Sequence, residues 1–367
     1  MNEQLALSVL ADVMDWDDKT ASQNYHYLAW MAAAKYDSYQ DYVAGGRFLE
    51  HLVRWLQQFD QADRAAAYNL VRERLIFISA SEIQRLIKLF YPQVVEPMLV
   101  TEVSERRGLH TWRVWADVDA RKELKEMRRR CLFMGLSEGA RLDRLRRANE
   151  GRISNEQVVL QTQVNRDKWD DLHKELRKDL KDPTASFEFV FLVDDFIASG
   201  TTLLRYEESR WKGKLQRFAD VLHEVPKGVL STSCRLGVHH YIANAGKLKL
   251  ACERWTQWRA ADDRDSMPPE AHFTCGLELG RDVALRDDDP NDAQILALAD
   301  RYYDPSIEDE HMKKGGGHAR RGFSGCALPL ILEHNTPNNS IPLLWAETTM
   351  DDPHAMRPLF YRRQRHG

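Results

Sequence analysis

The sequence predicts an α/β protein with a parallel-sheet core, a helical N-terminal domain before it and an α+β extension after it. Three apolar runs, at 131–136, 158–160 and 187–193, are each followed by a charged, amphipathic stretch of helical length. Within each run the apolar residues are nearly continuous rather than alternating, as in strands covered by helices on both faces. The residues before these runs show only helical spacing. This change of pattern divides the chain into a helical domain at 1–118 and a sheet domain with its extension at 119–367.

In chain order, Tyr25–Met31 is apolar and aromatic, and Phe48, Leu49, Leu52, Trp55 and Leu56 recur at helical spacing. Glu82–Phe90 repeats that spacing through Ile83, Leu86, Ile87 and Leu89, with Gly45-Gly46 and Pro92 as turns. Cys131–Leu136 reads as the first core strand, followed by Ser137-Glu138-Gly139 and a helix through Leu142 and Leu145. Val158–Leu160 is the second strand, with a helix over Asn165–Lys181. Phe187–Val193 is the third, followed by a helix containing Leu204, Trp211, Leu215, Phe218 and Leu222. His239–Ala243 and Leu248–Trp258 form another strand–helix pair, in which His239 and His240 read as strand filling rather than as a ligand pair. Beyond them, Phe273–Leu285 reads as a strand and Ala293–Tyr303 as a helix. Lys313–His318 reads as a mobile loop, and Ala327–Leu332 and Leu343–Ala346 as strands separated by His334–Ser340.

Hydrophobic residues are 43% of the chain and charged residues 29%, which excludes wholesale disorder. The apolar runs are too short to span a bilayer, so no membrane partner is expected. Met1–Asp18 carries five acids and no basic residue, unlike a signal or transit peptide, so the expected location is cytoplasmic. Five scattered cysteines, with no C-x-x-C pair, read as reduced thiols rather than as a disulfide or zinc framework. The formal net charge of −4 does not suggest nucleic acid. However, residues 120–152 hold eleven Lys/Arg against five Asp/Glu, and four arginines follow from Arg357 with no acid. That basic band suits a small polyanion as well as it suits nucleic acid, which is the less favoured partner.

The informative segment is Phe189–Thr202. A buried strand delivers Asp194 and Asp195 at its C-terminal end, where open α/β sheets bind their ligands. A loop of small and hydroxyl residues follows, Ala198-Ser199-Gly200-Thr201-Thr202, and is expected to open a helix whose unpaired N–H groups hold a phosphate. Acids beside a phosphate cradle would repel the anion alone. They suit a ligand that also presents hydroxyls or a hydrated metal, as a phosphorylated sugar does. Two other phosphate motifs fit less well. A Walker B strand would need a G-x-x-x-x-G-K-[ST] loop, which the chain lacks, and Asp117-Val118-Asp119 has Arg121 where a phosphatase loop wants Thr or Val. A third reading has the acids simply cap the following helix.

Residues 190–202 resemble the phosphoribosyl pyrophosphate motif of type I phosphoribosyltransferases. That pattern is four apolar residues, two acids, two apolar residues, Ala, Thr or Ser, Gly, any residue and Thr, and every position is met. The resemblance implies a phosphoribosyltransferase-type sheet, with Asp194 and Asp195 on the ribose hydroxyls and Ala198, Ser199, Gly200, Thr201 and Thr202 around the 5′-phosphate. It also implies Mg2+ brought in by the ligand near the two aspartates, with no direct protein metal site, and displacement at the anomeric carbon. An earlier strand of this family ends in a loop that grips pyrophosphate. Ser137, Glu138, Gly139, Ala140 and Arg141 have that arrangement, although Glu138 departs from the usual loop. Arg141 and Arg144 either neutralise pyrophosphate or solvate an amphipathic helix. The closing loop is either 149–156 or 313–321, and no general base is assigned.

The helical N-terminus, the mid-chain motif and Asn335–Trp345 together resemble the phosphoribosyltransferase-like proteins of bacterial conflict systems, predicted components of anti-phage defence operons. That likeness covers roughly the last two-thirds of the chain. It implies a pentosyltransferase with an open acceptor, and a partner protein from the same operon met by the N-terminal helices. The other reading keeps the fold as an inactive nucleotide sensor that docks a partner protein or nucleic acid. The Asn- and Pro-rich segment 335–342 either reads a nucleobase edge or forms a turn that satisfies its own amides. Trp345 reads as core.

Overall fold

The computed structural model describes residues 3–42, 46–162, 164–261, 267–268, 270–308, 319–348 and 355–362. The chain opens with helices α1 (Glu3–Met14), α2 (Asp18–Ala34), α3 (Phe48–Leu56) and α4 (Arg64–Asn69), then strand β1 (Ile76–Ile78). Helices α5 (Ala80–Phe90), α6 (Glu96–Arg107) and α7 (Val118–Arg129) lead to β2 (Cys131–Gly135). Next come α8 (Leu142–Ala148), β3 (Val158–Val159), α9 (Arg166–Leu180) and β4 (Phe187–Ile197). A hairpin, β5 (Arg205–Glu207) and β6 (Arg210–Lys212), precedes α10 (Lys214–Leu222), β7 (Leu230–Asn244), α11 (Lys247–Ala261) and β8 (Ala271–Leu279). The chain closes with α12 (Pro290–Arg301) and β9 (Leu330–Leu332).

These elements form two compact units. One joins Met1–Ile83 to Arg281–Gly367, and the other is Gln84–Gly280. These boundaries differ from the 118/119 division read from sequence pattern. In the first unit, β1 pairs in parallel with β9, Phe77 opposite Ile331, across some 250 residues of chain. One core holds Phe48, Trp55 and Phe77 together with Ile295, Ile331, Leu343 and Phe360. The Trp55 indole N–H donates to the Leu343 carbonyl at 2.7 Å. Leu343–Ala346, read as a strand, instead begins with a short 3-10 turn over Pro342–Leu344. Trp345 is buried in this core, as the sequence indicates.

The second unit carries a five-stranded sheet in the order β3-β2-β4-β7-β8, every pair parallel. The even face of its central strands (Leu132, Met134, Val190, Leu192, Leu236, Val238) packs on Trp169 and Leu172 of α9, Phe218 of α10, and Trp255 and Trp258 of α11. On the other face Phe133 stacks on Phe191 at 5.3 Å, and Phe90 of α5 meets both edge-on. Continuous apolar runs are therefore required, because helices cover both faces. Pro92 does not end its helix. It sits in a wide π turn, Tyr91–Val95, that carries α5 into α6 and tolerates the missing N–H. Asp117, the acid of the phosphatase-like spacing, caps α7 by accepting from the Ala120 N–H at 2.8 Å. Among the described residues no helix is long and apolar enough to cross a membrane.

The division into units has a direct test. A fragment of residues 84–280 should melt cooperatively. A fragment starting at 119 keeps residues 281–367 without β1 and α1–α4, so it should bind a hydrophobic dye and lose that segment to protease. A dye-silent, protease-resistant 119–367 fragment would refute the shared core.

Candidate functional site

The strand order places a crevice before any side chain is considered. From β2 the chain passes outward to β3, then crosses back to β4 on the other side of β2 and continues to β7 and β8. The reversal lies between β2 and β4, and open parallel sheets bind ligands at the carboxyl ends of the strands flanking such a reversal. The loop 136–141 leaves β2 at that point, and Asp194–Thr202 ends β4 there. In register Gly135 lies opposite Val193, and the Leu136 N–H donates to the Val193 carbonyl at 2.8 Å. Beyond that residue β4 continues alone along β7, with Asp194 opposite His240. Residues 137–140 fold back over this overhang.

Successive strand residues point to opposite faces, so the two acids have different surroundings. Asp194 is 3% exposed. One of its oxygens accepts from the Ser137 hydroxyl and the other is ion-paired with Lys214. Burial raises the carboxyl pKa, opposed chiefly by the Lys214 charge. Lys214 is the first residue of α10, where a cation opposes the helix dipole. Its pairing with Asp194 offsets that cost. Asp195 is only half-buried and accepts from the Phe196 N–H at 2.9 Å. Gly139 packs directly against its carboxylate, where any Cβ would overlap the oxygens. Ser137 and Gly139 are thus brought onto Asp194 and Asp195.

The rest of the first loop is held from β7. The Tyr241 hydroxyl donates to the Ala140 carbonyl at 2.8 Å, while the Ala140 and Arg141 N–H groups turn inward to Ser137 and Glu138. Arg141 occupies left-handed backbone, φ +45°, at the start of α8, an uncommon conformation for a residue with a Cβ. Glu138 is exposed, and Arg144 is half-buried on α8.

The second loop corrects one expectation. Ala198–Thr202 does not run directly into a helix. It closes a single turn, with the Leu204 N–H donating to the Gly200 carbonyl, and the β5–β6 hairpin then intervenes before α10. The first N–H groups of α10, at Lys214 and Leu215, are taken by the Thr202 and Leu203 carbonyls. Any anion at this loop therefore meets its turn and hydroxyls rather than an open helix end. Ala198 and Ser199 are buried, Thr201 is half-buried and Thr202 exposed, and the Ser199 and Thr201 hydroxyls lie 2.8 Å apart. Arg205 donates to the Thr201 carbonyl and pairs with Glu207.

Sequence reasoning missed Lys214 and Tyr241, neither of which belongs to a motif, whereas His239 and His240 fill strand β7 as read. His239 and His240 are almost fully buried, and burial pushes both down to about 3. The His239 Nδ1 pairs with the Thr274 hydroxyl at 2.9 Å and its ring stacks on Phe90. His240 lies on the Asp194 face, near Lys214.

The two candidate closing loops fare differently. Residues 149–156 fold as a tight turn, with the Asn149 side chain bonded to the Leu145 carbonyl and a capping box from Ser154 to Gln157. The 313–321 segment lies outside the described residues as far as 318. In the Asn- and Pro-rich stretch, the Asn339 amide donates inward to the Phe323 carbonyl and Thr336 is buried against the Tyr39 hydroxyl, as in a turn that satisfies itself. A concavity of about 330 Å³ lies at the opposite end of the sheet, and its Arg106, Arg107 and Arg130 are all ion-paired.

Residues 52–362 match the family model described as PRTase-CE, and the chain belongs to this phosphoribosyltransferase-type family. No curated protein and no solved structure matches it.

Removing Lys214 leaves a buried carboxylate without its cation. K214M should cost about 3–5 kcal/mol in denaturant unfolding, and the double variant K214M/D194N should recover most of that. A double variant as unstable as K214M alone would remove the pair from this role. The histidines set an acid limit. Unfolded imidazoles take up protons near 6.5 and the folded ones only near 3, so their contribution is present above pH 6.5 and is lost as pH falls through that window. Tm should drop from pH 7 to pH 4, and H240L should flatten the drop. An unchanged slope in H240L would contradict a neutral buried His240.

Proposed function

We propose that this chain binds phosphoribosyl pyrophosphate, or a related pentose phosphate or nucleotide, together with Mg2+, and transfers phosphoribose to or from an acceptor. The observation that carries this reading is the convergence of two loops at the sheet's reversal point. Ser137–Arg141 brings Gly139 against the Asp195 carboxylate, while the phosphoribosyl motif ends in the turn 198–202. In this reading Asp195 meets the ribose hydroxyls. Asp194, held by Ser137 and Lys214, anchors the first loop. Ser199, Gly200, Thr201 and Thr202 surround the 5′-phosphate, while Ser137, Gly139 and Arg141 face pyrophosphate.

Asp195 lies near the place where the ligand would bring Mg2+, which keeps water and phosphate oxygens in its shell. Bound magnesium would neutralise charge developing on the leaving pyrophosphate. The chain's own work is to position the sugar and screen its charge. A cytoplasmic role in a bacterial anti-phage defence system belongs to the same proposal. So does a partner protein on the N-terminal helices, where Trp30 of α2 is 67% exposed. One observation favours the alternative of a sensor without turnover. Lys214 already occupies Asp194, and Glu138 places a carboxylate in the loop assigned to pyrophosphate.

Calorimetric titration with magnesium phosphoribosyl pyrophosphate tests the proposal. Saturable binding by the wild type, weakened at least tenfold by D195N, is the expected result, and pyrophosphate release with an acceptor would then separate enzyme from sensor. No binding at millimolar ligand would overturn both readings.

A further inference from the structure

Arg254 lies outside every motif, on α11, yet its side chain reaches the turn after β4. Its Nη1 donates to the Leu204 carbonyl at 3.2 Å. The same nitrogen lies 3.3 Å from where a Cβ on Gly200 would stand. Gly200 itself has φ +75°, so a bare, left-handed residue sits beside the guanidinium. On α11, Ala251, Trp255 and Trp258 are buried against the sheet, and Arg254 at the edge of that inward stripe is half-buried.

Its charge has no counterpart among the described residues. Among the described residues Arg254 makes only the hydrogen bond to Leu204 and no ion pair, and burial alone pushes its pKa down. Arg205 approaches the same turn but is committed to Glu207 and the Thr201 carbonyl. A partly desolvated guanidinium without an acid is costly unless an anion completes it. Four of its five N–H donors remain beyond the one given to Leu204. On either side of Gly200 in the chain, the Ser199 and Thr201 hydroxyls pair to each other at 2.8 Å.

We propose that Arg254 is a ligand of the terminal phosphate of the bound pentose phosphate, acting across Gly200 with the Ser199 and Thr201 hydroxyls. This rests on the proposed pentose-phosphate reading and adds to it a residue from an element that the motif does not include. The planar fork suits bidentate contact with a phosphate monoester.

The test titrates ribose 5-phosphate and, separately, inorganic pyrophosphate into the full chain, as wild type, R254Q and R254K, with a thermal melt of each ligand-free protein. R254Q should weaken ribose 5-phosphate on the order of ten- to a hundredfold, the usual range for a hydrogen bond to a charged group. Pyrophosphate binding should be unchanged, R254K should be intermediate, and the melts should agree. Equal ribose 5-phosphate affinity in wild type and R254Q would overturn the role of Arg254 and leave the pentose-phosphate reading standing. Parallel loss of both probes, or a lowered melt that accounts for the loss, would make Arg254 a support of the turn and overturn the proposal. A wild type that binds neither probe would overturn the site together with the reading beneath it.

Discussion

A carboxylate with almost no exposed surface must be met by donors, and at Asp194 they arrive from both sides of the sheet's reversal point. Ser137 comes from the loop after β2 and Lys214 from the first turn of α10. Lys214 does not fit its local setting without the acid, since it stands at the wrong end of a helix dipole. The carboxylate therefore fixes how the two loops and α10 meet, and the candidate site follows from that meeting.

The alternation of a strand gives two adjacent acids different surroundings. Asp194 faces Lys214 and Ser137. Asp195 faces Gly139 and the loop held by Tyr241. The sheet beneath them is stiff on both faces, Trp169, Trp255 and Trp258 on one and the stacked Phe133 and Phe191 on the other. Such a base holds both loops in place at the edge, where a flexible one would let them drift.

Several features were invisible in the chain for identifiable reasons. The β5–β6 hairpin turns through Glu208 and Ser209, both at positive φ, without the Asn-Gly or Asp-Gly pair that normally announces such a turn. Trp211 at apparent helical spacing therefore read as part of α10. The three-residue strands β1 and β9 are too short for periodicity to register, and each is a strand only because the other lies beside it. Pro92 read as a break because sequence carries no sign of the π turn that absorbs it. Lys214, Tyr241 and Arg254 reach the site from separate elements, so no local spacing could have gathered them.

The sequence by itself determined the parallel α/β core, since continuous apolar runs alternating with amphipathic helices have few other stable packings. It also determined the motif, because the acids, small residues and hydroxyls of Asp194–Thr202 are contiguous and their order is local chemistry. Tertiary structure decided which acid is buried and which N–H groups are already taken. It also decided that the two chain ends share a core, and which distant cations stand over the loops. Those properties depend on desolvation and on contacts between residues far apart in the chain, and both come into being only when the chain packs.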